Sequence, residues 1–465
     1  MAELHELSAS ELAPLYRRKA LSPVEVTRAV LARIERWEPS LCATYALAPE
    51  TALAMARASE ARWAGRVAEA PRGPLDGVPV TLKENIATRG VPTPLGCAAT
   101  ELMPAADDAP PAARLREAGA VFIAKTTMPD WGMLSSGLSS FHPLARNPWD
   151  LRKNPGGSSA GAAAAAAAGY GPLHLGTDIG GSIRLPAGWC GIVGFKPSLG
   201  RIPIQPPYAG RVAGPMTRSV ADAALAMSVL SRPDWRDAMS LPPQAVDWLQ
   251  LDHELKGLKI GLLLDAGWGD ALQPAVRAAV VDAARRFEAA GASIEPMPAF
   301  STRAMVAGLD HFWRMRSWLD FSVLPPERQD KVLPYIRHWI ARGETLSGPE
   351  VFRGYSQIGA LRDAAVAACR PYDFVLSPVS PGVAFPAEQA SPLNDPERPF
   401  EHIAFTLPYN MSEQPAISLN AGHDSDGLPI GLQIIGRRHD DLGVLRMARA
   451  WEQLRPAQAA WPEPS

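Results

Sequence analysis

The sequence predicts an α/β fold. Two stretches alternate helix and strand, as this class requires. Residues 111–127, PAARLREAGAVFIAKTT, read as a helix, a glycine stop and a strand. Residues 258–297 contain LKIGLLL, then QPAVRAAVVDAARRFEAAG, then ASIEPM, a strand, a helix and a strand. A third observation is bulk: 465 residues, 47% of them hydrophobic, provide an ample core. Length alone sets a prior of about three domains of roughly 150 residues, which large α/β folds routinely exceed.

The elements follow in order. Residues 8–64 read as helical. Ser22-Pro23 gives an N-cap and a proline at the first helical position. Val26, Val30, Ile34 and Trp37 then recur at helical spacing and form one apolar face. Residues 73–87 read as a turn and a strand in which Val78, Val80 and Leu82 alternate and Lys83 closes the run. Residues 128–150 form a long loop that carries Trp131, Gly132, Met133 and Leu134. Ala160–Ala168 is a run of small residues with high helix propensity. Residues 173–178 read as a strand, and Ser219 opens another helix. The segment 230–256 is rich in Pro, Asp and Trp and reads as a connection. Residues 302–369 are mostly helical and hold Trp313, Trp318 and Trp339. YDFVLSPVSP is again a strand, and the chain closes with an amphipathic helix.

Composition excludes several classes. The formal net charge of −2 offers no basic field for nucleic acid or an anionic membrane. Cys42, Cys97, Cys190 and Cys369 are scattered, without the spacing of a disulfide framework or zinc site. Reduced, buried thiols in a cytoplasmic protein are expected. The N-terminus MAELHELSASELAPLYRRK lacks an apolar core, so no signal peptide is expected. The alanine run is the longest apolar stretch and is too short to span a bilayer. No HExxH or clustered His/Cys spacing calls for a metal, and no cofactor is expected.

The chemistry concentrates in NPGGSSAGAAAAAAAGYGPLHLGTDIGGSIRLPAGWCGIVGFK, residues 154–196. It holds two glycine-flanked serine clusters, Gly156-Gly157-Ser158-Ser159 and Gly180-Gly181-Ser182. Paired glycines let the backbone approach a ligand closely, and successive N–H groups can converge on an oxyanion. Three readings compete. Gly157–Gly161 formally matches G-x-S-x-G, but that elbow needs an apolar strand before it, and RNPWDLRKNP is a polar loop. A phosphate loop would need GxxxxGK[ST], which is absent. Two serines with the upstream Lys83 fit acyl transfer without histidine.

The ordered series GPLDGVPVTLKENI, GGSSAG, GTDIGGSIRLPA, GFKPSLGRIP and GLPIGLQIIGRRHDDLGVLRMA resembles the amidase signature family. The separations of the lysine and the two serines fit that family as well. The similarity covers most of the chain, weakly only between about Leu241 and Pro371. The resemblance implies a single amidase domain over 1–465, with a large twisted mixed β-sheet covered by helices on both faces. Within it, 1–70 is an N-terminal helical segment and 71–230 the catalytic core. Residues 231–370 are a variable, mostly helical substrate-pocket region, and 371–465 return to the core. It implies Ser182 as nucleophile, and Ser158, held through a cis peptide, as the bridge to Lys83. Backbone N–H groups of Ile179, Gly180, Gly181 and Ser182 would hold the oxyanion. Asp178 and Arg184, with Ser159, would support the loop. Lys83 must be neutral to act as base, far from its ordinary value of about 10.4, and burial is the obvious cause. Two departures stand out: Glu84 replaces the usual Asp, and Ala160 the usual Gly.

The glutaminyl-tRNA amidotransferase branch of the family holds glutamine's amine with an acidic residue, and the matching position here is Ile403. An amidase for apolar acyl or aryl amides is therefore expected, with esters and carbamates open to the same relay. The alternatives are a urethanase and an amidotransferase subunit working with a partner. The expected partner is a small-molecule amide, ester or carbamate, with no nucleic acid or membrane, and the chain a monomer or homodimer. Trp131, Gly132, Met133 and Leu134 are the candidate substrate-binding residues, because the matching loop lines the acyl pocket in relatives.

Overall fold

The computed structural model describes residues 3–463. Eleven strands form one sheet: β1 Thr44–Tyr45, β2 Pro79–Lys83, β3 Val121–Thr126, β4 Leu173–Asp178, β5 Val193–Lys196, β6 Val212–Thr217, β7 Lys259–Leu262, β8 Ser293–Pro296, β9 Phe374–Pro378, β10 Ala416–His423 and β11 Pro429–Ile435. Their spatial order is β1-β3-β2-β4-β6-β5-β10-β11-β9-β7-β8. β2 runs parallel to both β3 and β4, and β7 parallel to β8 and β9. The centre, from β4 through β6, β5, β10 and β11 to β9, is antiparallel. The sheet is therefore mixed, and it unites strands from the whole chain.

Helices Val220–Leu230, Pro274–Ala289 and Asp441–Leu454 pack on the sheet as one layer. Arg184–Cys190 packs on β5, β10 and β11 without substantial contact with that layer, so it covers the opposite face. The helix Ala160–Ala168 lies against Arg184–Cys190 and over β2, β3, β4 and β6, with all nine residues buried. Small side chains make this possible. A Cβ on Gly161 would lie 2.1 Å from the carbonyl oxygen of Ala43, so only glycine fits there. The C-terminal carbonyls of this buried helix are not orphaned. Arg218 donates to Ala166 and Ala167, each at 2.8 Å, and Arg33 donates to Ala168 at 2.8 Å. Cations at a helix C-terminus also suit its dipole.

The N-terminal segment forms helices Ala9–Arg17, Pro23–Leu41 and Pro49–Trp63. Ser22 caps the second by accepting from the Glu25 N–H, with Pro23 at the first turn. Val26, Val30, Ile34 and Trp37 are buried on its inner face. A second apolar cluster surrounds helices Arg303–Ser322, Pro334–Ala341 and Gly348–Cys369. These helices carry Trp313 and Trp339 toward the C-terminal ends of β2 and β4. Parallel strands leave their functional ends together, and here Lys83 ends β2 while Asp178 ends β4. Among the described residues no helix is long and apolar enough to cross a membrane.

Candidate active site

Lys83 is 0 % exposed. Its Nζ donates to Ser158 Oγ at 2.7 Å and to Ser159 Oγ at 3.1 Å. Ser159 is the N-cap of the alanine helix, so the amine sits at that helix's positive end, where a further cation is disfavoured. Burial first, and then the charge of Arg211, pull Lys83 down to about 7 against the opposing pull of Asp178 and Glu84. A substantial fraction of the lysine thus holds a lone pair near neutral pH. Ser159 in turn donates to the Thr177 carbonyl at 3.2 Å and ties the pair to the end of β4. The Gly157–Ser158 peptide is cis, as the resemblance implied.

The loop after β4 is fixed from inside. Arg184 and Asp178 are both buried, and the guanidinium meets the carboxylate through Nε and Nη2, each at 3.0 Å. The remaining donors of Arg184 reach the Thr406 carbonyl at 2.9 Å and Gln433 Oε1 at 2.7 Å. Asn410 Nδ2 donates to Asp178 at 2.9 Å. Burial pushes the Asp178 carboxyl up, but the charge and hydrogen bonds of Arg184 outweigh it and hold the group well below the usual carboxylate range. Replacing Asp178 by Asn strands a buried guanidinium. We expect the Asp178→Asn variant to lose about 3–5 kcal/mol in chemical denaturation. A denaturation midpoint matching the parent chain would show that this pair does not hold the loop.

Asp178 also engages one of the expected oxyanion donors. The Gly181 N–H donates to Asp178 Oδ1 at 2.8 Å, so it is already engaged and does not point freely into the cleft. The N–H groups of Ile179, Gly180 and Ser182 make no such bond. Gly181 serves the turn instead. Its φ is +129°, and a Cβ there would lie 2.5 Å from Thr406 Oγ1 and 2.8 Å from Leu185 Cδ1. Thr406 Oγ1 donates to the Gly180 carbonyl at 2.7 Å and closes the loop from the other side.

Ser182 is half-buried and opens onto two adjoining cavities. The first has a volume of about 110 Å³. Its walls include Trp131, Gly132, Met133, Leu134, Ile179, Trp313, Tyr335, Trp339, Phe400 and Ile403. Phe400 meets Trp313 and Trp339 edge-on, with ring centroids 5.3 and 5.7 Å apart. Trp318 instead packs beside Phe321 and is not part of this wall. The loop that carries Trp131 is anchored by buried Asp130, which accepts from the N–H and hydroxyl of Ser140, each at 2.7 Å, and from the Leu333 N–H at 3.2 Å. Gly132 backs onto the serine pair: a Cβ there would lie 3.3 Å from Ser158 Oγ. The second cavity is larger, about 660 Å³, and includes Ser158 with Asn85, Thr177, Gln205, Tyr208, Arg211 and Arg316 in its lining.

The structure thus brings Lys83, Ser158, Ser159 and Ser182 together around one cleft. Neither nearby histidine joins them. His174 accepts from or donates to Thr81 at 2.8 Å and lies 3.0 Å from the Gly171 carbonyl, and burial lowers it to about 3. His142 Nε2 lies 2.8 Å from Glu84 Oε2. Glu84 is itself buried and faces this imidazole rather than the serines. Sequence reasoning did not single out Thr406, Asn410, Gln433, Phe400, Arg211 or Arg316. The first two lie in FTLPYNMSEQPAISL, whose match to the family pattern was the available signal.

This arrangement of a buried lysine, two serines and a glycine turn accords with the family comparison: the chain belongs to the amidase signature family, whose amidase profile matches residues 25–445. It is a hydrolase acting on amide C–N bonds. An acylamidase of Rhodococcus erythropolis is 35% identical over 469 residues, 97% of this chain and 96% of that protein. A glutamyl-tRNA(Gln) amidotransferase subunit from Chloroflexus aggregans is also 35% identical, over 98% of this chain and 97% of its own. Among solved structures, a bacterial aryl acylamidase of the amidase signature family superposes with a TM-score of 0.88 at 29% identity, covering 97% of each chain. A 6-aminohexanoate cyclic dimer hydrolase does so with a TM-score of 0.87 at 26% identity, over 100% of this chain and 99% of that one.

Proposed function

We propose that the chain hydrolyses amides of apolar acyl or aryl groups through a Ser182 acyl-enzyme. The observation that carries this reading is the fully buried Lys83 amine 2.7 Å from Ser158 Oγ, in a cleft shared with Ser182 and walled by tryptophans. Neutral Lys83 takes the Ser158 proton, Ser158 takes the Ser182 proton, and Ser182 attacks the carbonyl. The Ile179, Gly180 and Ser182 N–H groups hold the developing oxyanion. The proton returns through Ser158 to the leaving nitrogen, and water then hydrolyses the acyl-enzyme. Asp178, Arg184 and Ser159 hold the two loops in register. Trp131, Gly132, Met133 and Leu134 form one wall of the acyl pocket.

The amidotransferase relatives support a second reading, in which the chain takes ammonia from glutamine for a partner. Against it stands Ile403, which is buried and lines the aromatic cavity where an acidic side chain would have to meet glutamine's amine. The purified chain alone decides. An apolar anilide should turn over readily and glutamine hardly at all. Faster release of ammonia from glutamine than of amine from the anilide would overturn the amidase reading. Adding an aliphatic amide, an ester and a carbamate of the same acyl size ranks the reactions open to the same relay, urethane cleavage among them.

A further inference from the structure

The two cavities at Ser182 differ in chemistry. The first is mainly aromatic, with Arg316 on the boundary it shares with the second, whereas the second also holds Arg211 and Arg328. Arg328 at its rim is paired with Glu101 at 3.6 Å. Arg211 and Arg316 form no salt bridge with any carboxylate among the described residues. Arg211 stands immediately before β6, beside the end of β4, and among the described residues its guanidinium makes one hydrogen bond, a long one of 3.5 Å to the Pro206 carbonyl. Arg316 lies over the Tyr208 ring, 4.6 Å from its centroid. The nearby acids do not neutralise them. Asp178 is enclosed by Arg184, Glu84 faces His142, and Asp320 is exposed at the rim one turn beyond Arg316. Burial and the charge of Arg316 together lower Arg211 from the ordinary guanidinium value. Two cations without a salt-bridge partner among the described residues share a cleft wall beside the serines, with the exposed Asp320 at its rim.

The direction of the substrate follows from Ser158. It lines the second cavity and not the first. In the mechanism proposed above, Ser158 returns the proton to the leaving nitrogen. The amine half must then lie in the second cavity and the acyl half in the aromatic one. We propose that Arg211 and Arg316 form a subsite for a carboxylate on the amine half, which makes the substrates N-acylated amino carboxylic acids with an apolar or aryl acyl group. This rests on the Ser158 and Ser182 reading. Planar guanidinium groups match a carboxylate through paired N–H donors, and the partial burial of Arg211 strengthens the contact. The reaction is simple hydrolysis. The amide C–N bond breaks, water supplies the hydroxyl to the acyl carbon and a proton to nitrogen, and an apolar acid and an amino acid leave.

The test uses phenylacetyl amides of ω-amino carboxylic acids of increasing chain length. Each is paired with the alkylamide of equal length that ends in methyl. We expect kcat/KM to favour the carboxylate member by about tenfold or more at the best length, mainly through KM and most clearly at low salt. The ratio should fall to near one in the Arg211→Gln/Arg316→Gln double variant and recover in part with Arg211→Lys, which keeps the charge. A preference for the methyl member at every length, or a carboxylate preference that survives in the double variant, overturns the subsite. Binding separates this from failure of the mechanism. Calorimetry of the ω-amino acid products with the parent chain should show binding that the double variant loses. If no amide is hydrolysed but this binding is present and arginine-dependent, the catalytic reading fails and the subsite stands. If the products do not bind and the carboxylate substrates show no advantage, the subsite fails.

Discussion

Ser182→Ala should lower amide turnover by about 10⁴-fold or more while the fold persists, because in the proposed mechanism the variant lacks the hydroxyl that forms the acyl-enzyme. No protein hydrogen bond ties down the Ser182 hydroxyl among the described residues, so its removal leaves no buried group unpaired. What Ser182 gives to the structure is backbone: its carbonyl accepts from the Ser159 N–H at 3.1 Å, and alanine keeps that bond. Thermal melting and far-ultraviolet dichroism should therefore match the parent chain. A fluorophosphonate should label the parent chain once, at Ser182, and fail to label the variant. An adduct mapped to Ser158 or Ser159, or a variant that still cleaves an anilide, would sink the nucleophile assignment.

Much of this site was legible because its signals are local. The glycine clusters, the strand ending in Lys83 and the strand ending in Asp178 each lie within a few residues of the chemistry they serve. Ser22-Pro23 similarly marked a helix start that the structure confirms. Alternation of Val78, Val80 and Leu82 marked β2, yet it could not show that Thr81 and Lys83 are buried as well. Those two polar residues find partners on segments far along the chain, His174 and Ser158. The same limit applies to the cage around Arg184, whose partners Asn410 and Gln433 lie 226 and 249 residues away in sequence. Helical spacing could not tell Trp313 and Trp339, which face the cavity, from Trp318, which packs beside Phe321. That distinction depends on how three helices pack over the strand ends. Gly181 shows a subtler limit. Its motif pointed to an oxyanion donor, but the Asp178 carboxylate reaches its N–H first.

Lys83→Met should cut amide hydrolysis by about 10²–10⁴-fold and remove a titration from both activity and stability. Esters should suffer less than amides, since an alkoxide leaves without the proton that an amine needs. In the parent chain kcat/KM should rise as pH passes through about 7, where Lys83 loses its proton, and then hold into the alkaline range. His142→Gln should leave this limb in place, because His142 faces Glu84 and not the serines. Arg211 is the charge that lowers Lys83, so Arg211→Gln should move the limb to higher pH, with burial alone then opposing the pull of Asp178 and Glu84. The stability effect has a definite sign. Lys83 falls from an ordinary 10.5 to about 7 on folding, so between these values the unfolded chain binds more protons than the folded one. Stability then rises with pH across that window, by up to about 1.4 kcal/mol per pH unit from this one group. The penalty is full below about 7 and absent above 10.5. Lys125 and Lys196, both also lowered to about 7 by burial, add slopes of the same sign. The difference between the parent chain and Lys83→Met isolates the contribution of Lys83. Denaturant unfolding at several pH values should show the parent gaining on the variant as pH rises from neutral. A constant difference, together with an activity limb that survives Lys83→Met but vanishes in His142→Gln, would mean that lysine is not the base.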